Sequence, residues 1–247
     1  MSKKFKPRKS LLRKRPLKII ADPALSLGDQ AKEIHARVER RIKTLKLPPV
    51  SCRKGCSHCC YKLVSVGVPD ALMMAGAILA KPDWRERYLP RLREAALKAC
   101  DGEIVEEDWF ALHIPCPVLD TEAGTCDVYG SHPTACRYHL AATPAELCDP
   151  ELHPGARTGM VNLLAFENAI DKWQLDVGTD VFGTMCVAAL PVMVIYCVAL
   201  LNRGDSDVEA ALEGITDPRE WHIKHRNMER DLQRAQELEY TDSLDGV

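Results

Sequence analysis

Cys52-Arg-Lys-Gly-Cys56-Ser-His-Cys59-Cys60 places four thiols within nine residues, and the fold has to be organised around them. A Cys-x2-Cys step lets two sulfurs converge from one tight turn, and Gly55 gives that turn the backbone freedom to wrap. Adjacent side chains diverge, so Cys59 and Cys60 do not readily serve one mononuclear ion. One of the pair is expected to face a second metal or a second edge of a cluster.

Outward from this stretch, Cys116, Cys126, Cys136 and Cys148 follow at intervals of 9, 9 and 11 intervening residues, each near a Pro, Gly or polar turn. Together the eight cysteines suit two four-thiolate sites, or one cluster with further thiols beside it. Thiolate-only ligation selects Zn2+ or an iron–sulfur cluster over hard cations, and the spacing leaves both open. Arg53, Lys54, Lys62 and Arg137 lie close in sequence and would offset the thiolate charge. His58, His113, His132 and His139 are expected beside the ligands or at the surface, because eight thiols already suffice. Cys100, Cys186 and Cys197 read as small buried hydrophobes, the last two on one face of a helix.

The chain of 247 residues is long enough for a real core, with 46% hydrophobic residues. Its 6% aromatic content disfavours a stacking platform for single-stranded nucleic acid. Residues 1–50 hold 15 Lys/Arg against 4 Asp/Glu, so the overall charge of −2 hides a strongly acidic remainder. Residues 1–25 read as a basic flexible arm able to meet nucleic acid or another polyanion. Met1 to Lys18 carries nine basic residues and no apolar core of signal-peptide length. A reducing, cytoplasmic setting is therefore expected, in which clustered cysteines bind metal in preference to forming disulfides.

Residues 26–50 read as an amphipathic helix, with Ile34, Val38, Ile42 and Leu45 on one face and an end at Leu47-Pro48-Pro49. Residues 51–150 form the cysteine-cluster domain. Inside it the sequence predicts a short strand within 62–68, a helix from Pro69-Asp70 to about Lys81, a helix over 83–100, and a hairpin in 114–130 carrying Cys116 and Cys126. Residues 151–247 read as a helical extension, able to dock a protein partner, with helical periodicity from Gly159 and a final helix from Asp217 to about Glu239. The run 181–201 is long enough to be a membrane-span candidate, but the preferred reading is a buried central helix kinked at Pro191. The fold class expected is mainly α with a small irregular β-hairpin, organised by metal.

The ordered pattern CRKGCSHCC, Cys116-Pro-Val-Leu, Cys126-Asp-Val-Tyr, His132-Pro-Thr-Ala-Cys136-Arg and Glu146-Leu-Cys148 resembles the YkgJ-type cysteine-cluster family over about residues 51–150. The resemblance implies an intracellular zinc- or iron-chelating domain, with Cys52, Cys56, Cys59, Cys60, Cys116, Cys126, Cys136 and Cys148 as metal ligands. The family usually has an arginine where this chain has His132. A similar cluster occurs in flagellin lysine N-methylases, and Cys52-x3-Cys56-x2-Cys59 also has the spacing of a radical S-adenosylmethionine cluster. An iron–sulfur enzyme using S-adenosylmethionine, with methyltransferase-like activity, is the alternative. Against it stands the lack of the strand–helix alternation such barrels need. Cys56-Ser-His-Cys59 likewise lacks the βαβ setting of a thiol oxidoreductase. No phosphate loop, His-Glu-x-x-His or serine elbow is present.

Overall fold

The computed structural model describes residues 24–44, 47, 49–53, 55–101, 109–110, 112–149 and 186–221. The basic arm up to residue 23, the helical pattern of 159–170 and the final helix beyond Trp221 lie outside the described residues.

Helix α1, Leu27–Thr44, opens on Ser26, whose hydroxyl accepts from the Asp29 N–H at 3.2 Å and donates to the Asp29 carboxylate at 2.7 Å. Ala31, Ile34 and Val38 form its buried stripe, as the helical spacing predicts. His35 is buried in the same face. The side chain of Ile42, and Leu45 altogether, lie outside the described residues.

Two strand–helix units of similar construction form the centre. Strand β1, Ser65–Gly67, runs directly into α2, Val68–Leu79. The last strand, β4, Val187–Ala189, runs directly into α6, Leu190–Leu201. The strands pair antiparallel with Val66 opposite Ala188, and the Leu190 N–H reaches the Val64 carbonyl at 2.7 Å. Each helix carries a proline in its first turn, Pro69 or Pro191, where the missing N–H costs nothing. Pro191 therefore starts α6 and does not kink it, which corrects the expectation of a continuous kinked helix through 181–201.

Helix α6 is apolar on every side, from Leu190 to Val198, and packs between α2 and the helix Leu89–Cys100 (α4), the setting such a helix requires. Among the described residues no helix is long and apolar enough to cross a membrane. The predicted 83–100 helix is two: α3, Trp84–Arg87, and α4, Leu89–Cys100, with the break at Tyr88. Pro90 cannot donate within a continuous helix, so the chain restarts there. Ala95, Ala96 and Ala99 give α4 a small-residue face.

The hairpin forms, but its strands are two residues each: β2, Leu119–Asp120, and β3, Thr125–Cys126, around Gly124 at φ +62°. Cys126 is on a strand and Cys116 precedes the other. Helix α5 is short, Thr134–Tyr138, and α7 is Ser206–Ala211, capped by Asp205. The described fold is thus mainly helical with two small antiparallel two-stranded sheets, the second of which, β1–β4, the sequence did not announce. Repeated strand–helix barrel units are absent among the described residues.

The apolar cluster is continuous from Leu63 through α2, α4, β4 and α6 to Trp221. The Trp221 indole N–H donates to the Ala99 carbonyl at 2.9 Å. Cys197 sits on α6 and Cys186 just ahead of β4, both fully buried, so they are small hydrophobes as expected but do not share a helical face. Cys100 accepts from the Thr216 N–H at 3.3 Å.

Candidate metal centre

The cysteine loop closes on itself first. The Cys56 N–H reaches the Arg53 carbonyl at 3.0 Å, with Gly55 at φ +88°, a conformation side-chain-bearing residues rarely adopt. His58–Tyr61 then form one 3-10 turn in which Cys59 and Cys60 are consecutive. At three residues per turn, neighbours point about 120° apart. The two Cα–Cβ directions diverge accordingly, yet the thiols turn back toward each other and share a hydrogen bond, so adjacency does not hold the two sulfurs apart.

Three later segments close over this turn. The Cys116 N–H donates to the Cys60 carbonyl at 2.7 Å, and the hairpin turn at Gly124 lies against Ser57 and Gly55. The Cys52 sulfur accepts from the Ala141 N–H at 3.2 Å and donates to the His139 carbonyl at 3.8 Å, while the Ser51 N–H bonds the Ala141 carbonyl at 2.8 Å. The 3-10 turn Ala145–Cys148 packs on the His58–Tyr61 turn.

Seven of the eight predicted cysteines, 52, 56, 59, 60, 116, 126 and 136, line one cavity of about 250 Å3. Cys148 does not line it, but its turn packs on the His58–Tyr61 turn and its thiol lies within the fields of Cys52, Cys56 and Cys59. The far wall is apolar, with Leu63, Met74, Trp109, Val118 and Leu190. Among the described residues no three His, Cys, Asp or Glu side chains meet at one point as a single ion would require.

The sulfurs are surrounded by groups that favour the thiolate. A backbone N–H two residues further on is directed at the sulfur of Cys56 (from His58), Cys116 (from Val118) and Cys126 (from Val128). Pro117 helps to fix the second of these turns by setting its own φ. Arg53, Lys62 and Arg137 all reach the cavity, as the sequence suggested; Lys54 lies outside the described residues. Against these donors stands burial, which raises the thiols of Cys56, Cys126 and Cys148, pushes Cys116 up to about 12, and lifts Cys136 well above the ordinary thiol range. Cys59 is the exception: its hydrogen bond with the Cys60 thiol holds it down to about 7, with Lys62 assisting, and the same bond raises Cys60. A divalent or cluster charge would reverse the burial penalty, so metal uptake here should release protons.

The four histidines fall into two groups. His132 and His139 line the cavity, both depressed by burial, His132 to about 4. His58 Nδ1 is 3.5 Å from Asp149, and His113 stacks on Tyr61 with ring centres 3.9 Å apart.

The sequence reading missed the anchors of these ligands. Asp70, fully buried on α2, accepts from the Thr134 N–H at 3.0 Å and the Thr134 hydroxyl at 2.8 Å, and hydrogen-bonds His35 Nε2 of α1. His35 Nδ1 is buried with no hydrogen-bond partner among the described residues. This cluster fixes the start of α5, two residues before Cys136. Arg137 bonds Glu39 of α1 and the carbonyls of Gly130 (2.8 Å) and His132 (3.2 Å). On the other side Arg87 and Tyr88 hold Asp127, next to Cys126, at 2.8 and 2.9 Å. Only the polar pattern His132-Pro-Thr-Ala-Cys136-Arg137 could have hinted at any of this.

A helical scaffold that brings seven free thiols to one largely apolar cavity, with an eighth on an adjoining turn, defines a cysteine-cluster metal-binding protein. Residues 51–153, somewhat under half of the chain, match the family model CxxCxxCC, described as a "putative zinc- or iron-chelating domain". The resemblance to the cysteine-cluster family thus holds across the cysteine segment. Neither a curated protein nor a solved structure matches the chain.

Proposed function

We propose that this protein is an iron–sulfur protein, with the cluster-binding thiolates supplied by Cys52, Cys56, Cys59, Cys60, Cys116, Cys126, Cys136 and Cys148. The observation that carries the reading is the cavity itself: seven thiols stand around about 250 Å3 of space and no three meet at a point. A structural zinc ion needs four sulfurs about 2.3 Å from one centre, which leaves no cavity. A polynuclear cluster takes thiolates around its outside, so its ligands surround a volume. Backbone N–H groups aimed at sulfur and the nearby Arg53, Lys62 and Arg137 match the negative charge of such a centre. When bound, the cluster supplies one-electron chemistry.

The residues around it shield one side and hold the ligands in place. Met74, Trp109 and Leu190 close the apolar side, and low solvent exposure is one of the factors that set a cluster's potential. All eleven cysteines are free thiols, as a protein working in a reducing, cytoplasmic setting would keep them. The test is anaerobic purification followed by visible absorption and by iron, zinc and acid-labile sulfide per chain. Iron with matching sulfide and a broad brown absorption is expected. Colourless protein with stoichiometric zinc would overturn the iron–sulfur reading.

A further inference from the structure

We infer that helix α1, which lies outside the matched residues 51–153, is coupled to the metal centre: His35 and Glu39 are positioning residues for the helix that carries Cys136, and α1 loosens when the metal leaves. This rests on the metal-binding reading above, with zinc or iron alike, and adds to it a part of the chain to which the family match assigns nothing.

The coupling begins with how α1 is attached. Ala31, Ile34 and Val38 are its buried apolar stripe, and the continuous apolar cluster from Leu63 to Trp221 does not include them. The helix packs chiefly on α2 and, beyond that, on α5. Three side chains of this size hold a helix of 18 residues only modestly. Against them stands His35, buried in the same face, whose Nδ1 has no hydrogen-bond partner among the described residues. A polar atom buried in this way is a cost. The docked position of α1 therefore depends on the polar bonds that it makes.

Those bonds lead to α5. His35 Nε2 hydrogen-bonds the Asp70 carboxylate and lies 3.1 Å from the Thr134 hydroxyl oxygen. One turn further along α1, the Glu39 carboxylate accepts from the guanidinium of Arg137, whose side chain is 7% exposed. Thr134 and Arg137 are the first and fourth residues of α5, and Cys136 stands between them. An i, i+4 pair on α1 thus grips an i, i+3 pair on α5, each pair on one helical face, with the ligand residue inside the grip. A helix of five residues makes too few hydrogen bonds to hold itself. Its order comes from α1, from Asp70 and from the bond that Cys136 makes to metal. The hold on α1 and the hold on metal are therefore linked, and loss of either weakens the other by the same factor. Metal loss would uncover the apolar stripe of a helix whose other side, with Lys32, Arg40 and Lys43, is basic and exposed.

The experiment uses the full chain, purified anaerobically with its metal, and reads the link in both directions. In wild type, amide hydrogen exchange is followed before and after complete removal of the metal by a chelator. Protection of α1 is expected to fall while that of α2, α4 and α6 is kept. Unchanged protection of α1, or equal loss in all four helices, would overturn the inference while leaving the metal-binding reading intact. In the reverse direction, Glu39→Ala is compared with Glu39→Gln, which keeps an acceptor for Arg137; Glu39 is partly exposed, so both variants should fold. The chelator concentration that removes half of the metal is expected to drop about fivefold or more in Glu39→Ala, the lower end of ordinary coupling between sites, and to recover in Glu39→Gln. Faster exchange of α1 in Glu39→Ala with metal retention unchanged would reduce Glu39 to a structural role and overturn the coupling. Wild type that holds neither zinc nor iron would overturn the metal-binding reading itself, and this inference with it.

Discussion

Thr134 gives both its backbone N–H and its hydroxyl to the buried carboxyl of Asp70, which places a two-atom clamp at the start of the helix that carries Cys136. Replacing the hydroxyl by a methyl leaves the shape and removes one donor from a group that water cannot reach. Thr134→Val should therefore cost about 1–3 kcal/mol, the range for leaving a buried acceptor short of a partner. Thr134→Ser keeps the donor and should recover most of that loss. Urea unfolding of the metal-loaded proteins separates the two, and destabilisation by Ser with Val near wild type would show that methyl packing, not the hydroxyl, matters here. His132 makes a second prediction through pH. Burial, with Arg137 nearby, lowers its pKa from 6.5 to about 4. Between those values the unfolded chain binds a proton that the folded one refuses, so stability from this group is complete above about 6.5 and is lost as pH falls toward 4. The urea midpoint of wild type should therefore drop more between pH 7 and pH 4.5 than that of His132→Asn. Parallel drops would remove His132 as the source. Acid lability of the centre is common to both proteins and cancels in the comparison.

At the scale of elements, α6 is the helix on which the core depends, since α2 and α4 pack against it from two sides and β4 leads into it. Ile195, fully buried in its middle, has no route to solvent by which the site could collapse. Ile195→Ala should cost about 2–5 kcal/mol, read as a lower urea midpoint at unchanged slope. A loss below about 1 kcal/mol would mean that α6 is less tightly enclosed than its burial indicates. The buried character of this helix was legible in its all-round apolar sequence, and the cysteine cavity was legible in the spacing of its thiols. The role of Pro191 was not, because a proline that kinks a long helix and one that starts a shorter helix leave the same mark in sequence. Strands β1 and β4 were illegible as a pair: three residues each, more than a hundred residues apart, they leave no alternation long enough to read. The His35–Asp70–Thr134 cluster was hidden for a related reason. Its members come from three elements, and each alone looks like an ordinary polar residue on a helix.

For the whole molecule, the contrast between its two halves predicts what metal removal does. The α2–α4–α6 side has a continuous apolar cluster and should hold its structure without help. The segments 51–61 and 112–149 have two-residue strands, single 3-10 turns and one five-residue helix. Elements this short form few backbone hydrogen bonds of their own, and in metal-free protein the burial of several thiols there is a further cost when they ionise. Bonds from thiolate to metal therefore supply much of the ordering on this side, as in other small metal-organised folds. Chelation should open a trypsin site at Arg137, whose guanidinium is tied to Glu39 and to the carbonyls of Gly130 and His132, while amide hydrogen exchange in α2, α4 and α6 stays slow. The asymmetry is the informative part. Equal protection of both halves after complete metal removal would mean that the loops are ordered by packing alone. Joint loss of protection would mean that the helical core borrows its stability from the metal centre, with the Asp70 clamp and the Arg87–Asp127 contact as the bonds that carry it across.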